Sequence, residues 1–278
     1  EGKKEGMGTL TARRSDVLAR GRESVFLDLK IAAGREAALR LVERADVLVE
    51  GFRPGVMESL GLGPAVCLGR RPSLVYGRVT GWGQTGPLAQ AAGHDINYVA
   101  LTGVLSTATR AGVAPSIPVT LVGDMGGGAM FLAFGLMAAL WEAQRSGRGQ
   151  VVDAAMVDGV GLLSSLMHSL RAAGRWSDEP AQNFFLHSSP FYDCFECADG
   201  RHVSLGALEP QFYAELLQRL GLYDVDPAAQ HDRRQWPALR ERVAARIREK
   251  TRDEWAALLE GSDACFAPVL TLAEAPLH

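Results

Sequence analysis

The stretch ESVFLDLKIAAGREAALRLVERADVLVEGFRPGVMESLGLGPAVCLGRRPSLVYGRV (residues 23–79) decides the fold class. Glu23 to Leu29 reads as a strand. Gly34 to Arg44 reads as an amphipathic helix with Ala38, Leu41 and Val42 facing inward, and Asp46 to Glu50 as a second, short strand. After the turn from Gly51 to Gly55 comes a helical stretch broken by Gly61, Gly63 and Pro64, and then a third strand from Ser73 to Val79. Strands alternating with helices predict a parallel sheet with right-handed crossovers. The expected class is therefore α/β, a Rossmann-like sheet with helices on both faces.

Further along, the apolar run from Met125 to Trp141 contains Gly126, Gly127, Gly128 and Gly135 and stands at the lower limit of length for crossing a bilayer. It reads as a buried core helix that continues to about Gln144 and stops where basic residues and glycines suit a helix C-terminus. Val151 to Ala155 reads as another core strand, Gly159 to about Ala173 as a helix, and the Trp176 to Pro180 region as the start of a linker. Tyr192 to Cys197 and His202 to Gly206 alternate around Ala198-Asp199-Gly200, a hairpin signal. Helices are expected over Pro210 to Leu220 and over Trp236 to Lys250, where Leu239, Val243 and Ile247 share a face. A last helix should start at the capping-box spacing of Thr251 and Glu254. This gives a large α/β domain over 1–155, a helical linker over 156–190 and a small α+β domain over 191–278. Both ends read as cut from something longer.

The chain has 278 residues, 47% of them hydrophobic and 22% charged, which argues for a folded core. Twenty-nine Lys and Arg against 32 Asp and Glu leave a net charge of −3, so there is no global attraction to nucleic acid or to an anionic membrane. Four scattered cysteines do not make a disulfide scaffold, and no secretory signal is visible; a reducing cytoplasm is the expectation.

Several motifs invite a chemical reading. Gly81-Trp-Gly83-Gln-Thr-Gly86 matches the dinucleotide pattern G-x-G-x-x-G, but Pro87 follows where a helix should open, so a glycine turn is expected. Cys194 and Cys197 have C-x-x-C spacing without a second ligand pair, and their offset faces opposite sides of a strand. Gly93-His94-Asp95-Ile96-Asn97-Tyr98 crowds hydrogen-bonding side chains into one loop, where a loop histidine and a catalytic base are both open. In Leu121-Val-Gly-Asp124-Met-Gly-Gly-Gly128 an aspartate precedes a glycine-rich helix start; it fits a simple N-cap and equally a ligand site. Glu209, before Pro210, fits a helix cap or a carboxylate that orients a histidine.

Together with GFRPGVMESLGLGP (51–64), GRGQVVDAAMVDG (147–159), EPQFY (209–213) and SDACFAPVL (262–270), these stretches resemble the α-methylacyl-CoA racemases of the CaiB/BaiF, or family III, CoA-transferase superfamily. The resemblance runs from about residue 24 to the end. Against it, the chain looks short of an N-terminal strand–helix unit and a C-terminal return segment. The resemblance implies His94 and Asp124 as the two acid/base residues and Glu209 as the histidine's partner, supplied by the other subunit of an interlocked homodimer. It implies CoA contacts at Leu27, Asp28, Leu29 and Lys30, and at Gly93, Asp95, Ile96, Asn97 and Tyr98. Arg53 is a further candidate for the CoA phosphates, and Met125 and Gly126 would lie beside the thioester. No separate cofactor or metal is implied, because CoA is part of the substrate. The expected reaction is inversion of the α-carbon of a 2-methylacyl-CoA through an enolate, with main-chain N–H groups of the helix beginning at Met125 near the thioester oxygen.

One position departs from the pattern: Thr120 stands where these racemases commonly have asparagine. The rival within the superfamily is a CoA transferase with Asp124 as nucleophile, which His94 disfavours because that reaction needs no second base. The other rival is a non-catalytic acyl-CoA-binding protein. Branched fatty, sterol side-chain and arylpropionyl groups all remain open as the acyl chain.

Overall fold

In a computed structural model of the protein, which describes residues 17–110, 112–118, 120–179 and 182–278, the first four residues of strand β2 (Val75–Thr80) are all buried. A strand buried on both faces must be central. β2 is flanked by β1 (Val47–Glu50) and β3 (Val151–Ala155) in a parallel sheet of order β1-β2-β3. The chain forms two compact units, one made of residues up to Gly77 with Leu136–Val152, the other of Arg78–Gly135 with Asp153–His278.

In the first unit, helix α1 (Ala32–Val42) buries Leu39 and Val42. Short helices α2 (Val56–Ser59) and α3 (Pro64–Arg70) close over the same core, which includes Met57, Leu62, Cys67, Leu74 and Tyr76. The Tyr76 hydroxyl satisfies itself by donating to Leu62 O at 2.9 Å. Two expectations fail here. Leu41 is 54% exposed, because it sits at the flank of the inward face that Leu39 occupies. Residues 23–29 form no strand: they pair with no ladder among the described residues, and Phe26 is 90% exposed. Alternation supplies a strand's faces, but only a neighbouring edge supplies its hydrogen bonds.

In the second unit, α4 (Asp95–Leu101) follows the glycine turn. A ten-residue π-helical segment, Leu121–Met130, then leads into α5 (Phe131–Ser146), which from Leu136 onward belongs to the first unit. The combined helix Leu121–Ser146 is long and apolar enough to cross a membrane by length and composition alone. Only 22% of its apolar window is buried, and Met130, Phe134, Met137 and Trp141 are exposed, which corrects its reading as a buried core helix. The expected helix over 159–173 is two helices, α6 (Met156–Leu163) and α7 (Ser165–Ala172), which break at Ser164. The π segment packs on α6 at main-chain distance: a Cβ on Gly159 would lie 1.9 Å from Gly127 O.

The hairpin is present as β4 (Tyr192–Glu196) paired antiparallel with β5 (His202–Gly206), and β6 (Phe266–Pro268) joins β5 on its other side. Helices α8 (Pro210–Arg219), α9 (Trp236–Ile247) and α10 (Arg252–Leu259) cover this sheet with a core that contains Phe191, Phe195, Leu216, Val243, Ile247 and Trp255. Each such side chain contributes about 1.5–3 kcal/mol by leaving water. The capping box at α10 forms as read: Glu254 Oε2 accepts from Thr251 N at 2.8 Å, and Thr251 Oγ1 accepts from Glu254 N at 3.3 Å.

A pair of alanine substitutions on α6 tests the close approach. Gly159→Ala should lower stability by about 1–3 kcal/mol through overpacking. Gly161→Ala, with open space around it, should gain up to about 1 kcal/mol from helix propensity. Urea midpoints of the two variants would measure both, and equal midpoints would deny the contact.

Candidate active site

His94 and Asp124 come from different local structures that the fold brings together. His94 occupies the N-cap of α4 in extended conformation; its N–H donates to Asn97 Oδ1 at 3.0 Å, and its carbonyl accepts from Asn97 N at 2.8 Å. Tyr98 fixes the loop from behind, since its hydroxyl donates to Gly93 O and its ring meets Trp82 edge-on with centroids 4.7 Å apart. The glycines make this possible. A Cβ on Gly81 would lie 2.0 Å from the Tyr98 ring, and one on Gly93 would lie 2.8 Å from both Trp82 and Tyr98. The G-x-G-x-x-G pattern at 81–86 is thus a glycine turn: Gly81 is required by the Tyr98 ring, Gly83 and Gly86 by their positive φ, and no helix follows directly.

Asp124 is the fourth residue of the π segment, so it is not the N-cap that its position before three glycines suggested. The N-cap is Thr120, in a left-handed conformation with φ 59° and no side-chain cap bond. The helix starts before Met125, and Met125 N donates to Thr120 O at 3.0 Å. That amide is therefore not the donor expected for a thioester oxygen. Gly123 N and Asp124 N are also occupied, both donating to Asp95 Oδ1 at 2.7 Å. Beside His94, the main-chain N–H groups of Asp95 and Ile96, in the first turn of α4, make no main-chain hydrogen bond.

Asp124 is half-buried, and its carboxyl is pushed above the usual carboxylate range, first by burial and then by the Asp95 charge, with His94 pulling the other way. A group that senses both neighbours shares one electrostatic site with them. Tyr98 belongs to it too: burial and then the Asp124 charge raise its phenol. Ile96 and Met125 are exposed, while Asp95 and Tyr98 are buried.

Glu209 is exposed at the N-cap of α8 and makes no capping bond, so the capping role open to it from sequence is not taken up. Among the described residues no hydrogen bond links it to His94. Leu27, Asp28, Leu29, Lys30 and Arg53 lie in the first unit. There Leu27 and Leu29 line an apolar cavity of about 420 Å³ with Val49 and Phe52, Asp28 accepts from Lys30 N at 2.9 Å, and Arg35 donates to Lys30 O at 2.8 Å.

A cluster that sequence reading missed surrounds Asp193, whose carboxylate is wholly buried. It accepts from Arg110 at 2.9 Å, from Cys194 N at 2.7 Å and from Arg240, and lies 2.6 Å from His187 Nδ1. The signal was available, because strand alternation places Asp193 on the same inward face as Phe195. The four cysteines are free, and burial pushes the Cys197 thiol up to about 11. Among the described residues no group of three or more His, Cys, Asp or Glu side chains is placed to hold a metal ion.

With this geometry established, residues 12–278 match the sequence profile of CoA-transferase family III. The chain belongs to that family. This family III chain is 45% identical over 261 residues to mouse alpha-methylacyl-CoA racemase and 42% identical to the human enzyme, in each case covering 94% of this chain and 68% of the relative. Among solved structures it is similar to the hypothetical protein Rv3272 of Mycobacterium tuberculosis, with a TM-score of 0.76 and 29% identity over 93% of this chain and 70% of that one. The three-stranded parallel sheet and small antiparallel sheet match the family's structures.

The raised carboxyl of Asp124 has a consequence for stability whose sign is fixed. A carboxylate with a folded pKa above its unfolded value is penalised when ionised, so the native state loses stability as pH rises through the folded pKa. Asp124→Asn should therefore melt above the parent protein at pH 7, and the gap should close as pH falls below the unfolded carboxylate value of about 4. Thermal melts across that range would show it; a variant less stable than the parent at pH 7 would contradict it.

Proposed function

We propose that this chain inverts the α-carbon of 2-methylacyl-CoA thioesters by proton transfer through an enolate. The observation that carries the reading is the pairing of His94 with a raised Asp124 in one electrostatic site, in a chain 45% identical to an alpha-methylacyl-CoA racemase. An α-proton of a thioester is far less acidic than imidazolium or a carboxylic acid. A base with a raised pKa narrows that gap, and hydrogen-bond donors at the enolate oxygen narrow it further.

In one direction the Asp124 carboxylate takes the α-proton, the C–H electron pair moves into the thioester to make the enolate, and protonated His94 delivers a proton to the opposite face. In the other direction the roles exchange. The enolate oxygen is assigned to the N–H groups of Asp95 and Ile96, in place of the helix start at Met125. CoA is carrier and handle, and no separate cofactor enters the scheme. Its contacts are assigned to Leu27, Asp28, Leu29, Lys30 and Arg53 and to Gly93, Asp95, Ile96, Asn97 and Tyr98 around the start of α4, with Met125 and Gly126 on the acyl side.

A homodimer belongs to the same reading. The exposed stripe Met130, Phe134, Met137 and Trp141 is an apolar surface suited to a second copy, and Glu209, exposed and uncapped, is assigned to the His94 of that copy. Four free thiols suit a reducing cytoplasm.

The test is NMR of a single-enantiomer 2-methylacyl-CoA in D2O, with a free carboxylic acid present as a possible CoA acceptor. Exchange of the α-proton with epimerisation and no CoA transfer is expected, with His94→Ala and Asp124→Asn each losing it by at least about 100-fold. Transfer to the added acid without exchange would make Asp124 a nucleophile and the chain a transferase. Binding without either reaction would make it an acyl-CoA-binding protein.

A further inference from the structure

The Asp95 carboxylate makes a bond pattern that neither chemistry requires of it. It is buried, and one oxygen accepts from two successive main-chain amides, Gly123 N and Asp124 N, which are 28 and 29 residues away in sequence. Helix starts leave such amides orphaned, and the ordinary remedy is an N-cap side chain. Thr120, the N-cap here, supplies none, so the cap arrives from the first residue of α4. Gly123 is shaped for it: a Cβ there would lie 2.6 Å from Asp95 Oδ1 and 3.2 Å from Asp95 O. Asp95 is also the neighbour of His94 in the chain. We propose that Asp95 is a positioning residue whose carboxylate fastens the Asp124 turn to the His94 loop, so that the two proton-transfer side chains are held as one rigid unit before substrate arrives.

The tie has an electrostatic partner. The carboxylate that holds the Asp124 main chain also repels the Asp124 charge, and so raises its carboxyl beyond what burial does. Geometry and basicity therefore come from one side chain. Asparagine at 95 keeps an accepting oxygen and loses the charge; alanine loses both.

The catalytic meaning of the tie rests on the racemase reading, so the experiment has two readouts. The first is α-proton exchange of a 2-methylacyl-CoA in D2O as a function of pH; the second is hydrogen–deuterium exchange of the Gly123 and Asp124 amides without substrate. Asp95→Ala should lower kcat about 100-fold with KM changed less than about threefold, and should leave both amides unprotected. Asp95→Asn should restore amide protection and bring kcat to within about tenfold of the parent. Its acidic limb, in the direction that uses Asp124 as base, should move to lower pH. Gly123→Ala, which leaves Asp95 in place, should reproduce the alanine phenotype if Asp95→Ala fails to fold. Wild-type kcat in Asp95→Ala, or an asparagine variant as slow as alanine with its pH limb unmoved, would overturn the assignment. A parent protein that exchanges no α-proton would remove the racemase reading instead, and amide protection in the three variants would still decide the tie.

Discussion

The contact between the main chain at Gly127 and the Cα of Gly159 is the constraint from which the site's geometry follows. No residue with a side chain at position 159 fits under the Gly127 carbonyl, and Gly127 itself faces Val160 and Met156 at distances no Cβ could share. The π segment is thereby pressed onto α6. At its start Thr120 lies in the left-handed region. Asp124 stands one turn before Gly127 on the same segment, and its acidity is set there by burial and by the Asp95 charge.

Asp193 and Asp124 show how the same functional group takes opposite parts in one unit. Asp193 is deeper, but two arginines, a histidine and a main-chain amide surround it, so its charge is compensated. Breaking such a cluster leaves a buried charge unpaired, at a cost of about 3–5 kcal/mol. Asp124 is shallower, and its strongest charged influence is another carboxylate. A compensated acid holds structure together. An acid left partly uncompensated has a proton to exchange, and for the same reason it detracts from stability.

The strands over 46–50, 73–79 and 151–155, the hairpin and α8 to α10 were legible because each carries its own local signal: alternation, an apolar run, a capping box or a proline at a first turn. Residues 23–29 misled because a strand's partner is not written within it. The helix over 125–144 was found in place but read as buried, since apolar composition does not say what covers a face. At the site, the residue types of His94, Asp124 and Glu209 were legible and their settings were not. The preference for a cap at Asp124 is a local rule, and it gave way because the helix starts four residues earlier, after Thr120, which leaves Asp124 inside the first turn. Asp193 could have been read from strand parity, but its partners Arg110, His187 and Arg240 are spread over more than a hundred residues.

The π-helical register of Leu121–Met130 ties chemistry to chain length. In this segment Met125 N reaches back five residues to Thr120 O, where an α-helix would reach back four. One residue removed between Thr120 and Phe131 would let the stretch relax into an α-helix and turn everything before the deletion by about 100° around the axis. Asp124 would leave the His94 loop while its identity and every neighbouring residue type stayed the same. The number of residues between Thr120 and Phe131 therefore positions Asp124 as much as the side chains packed around it do.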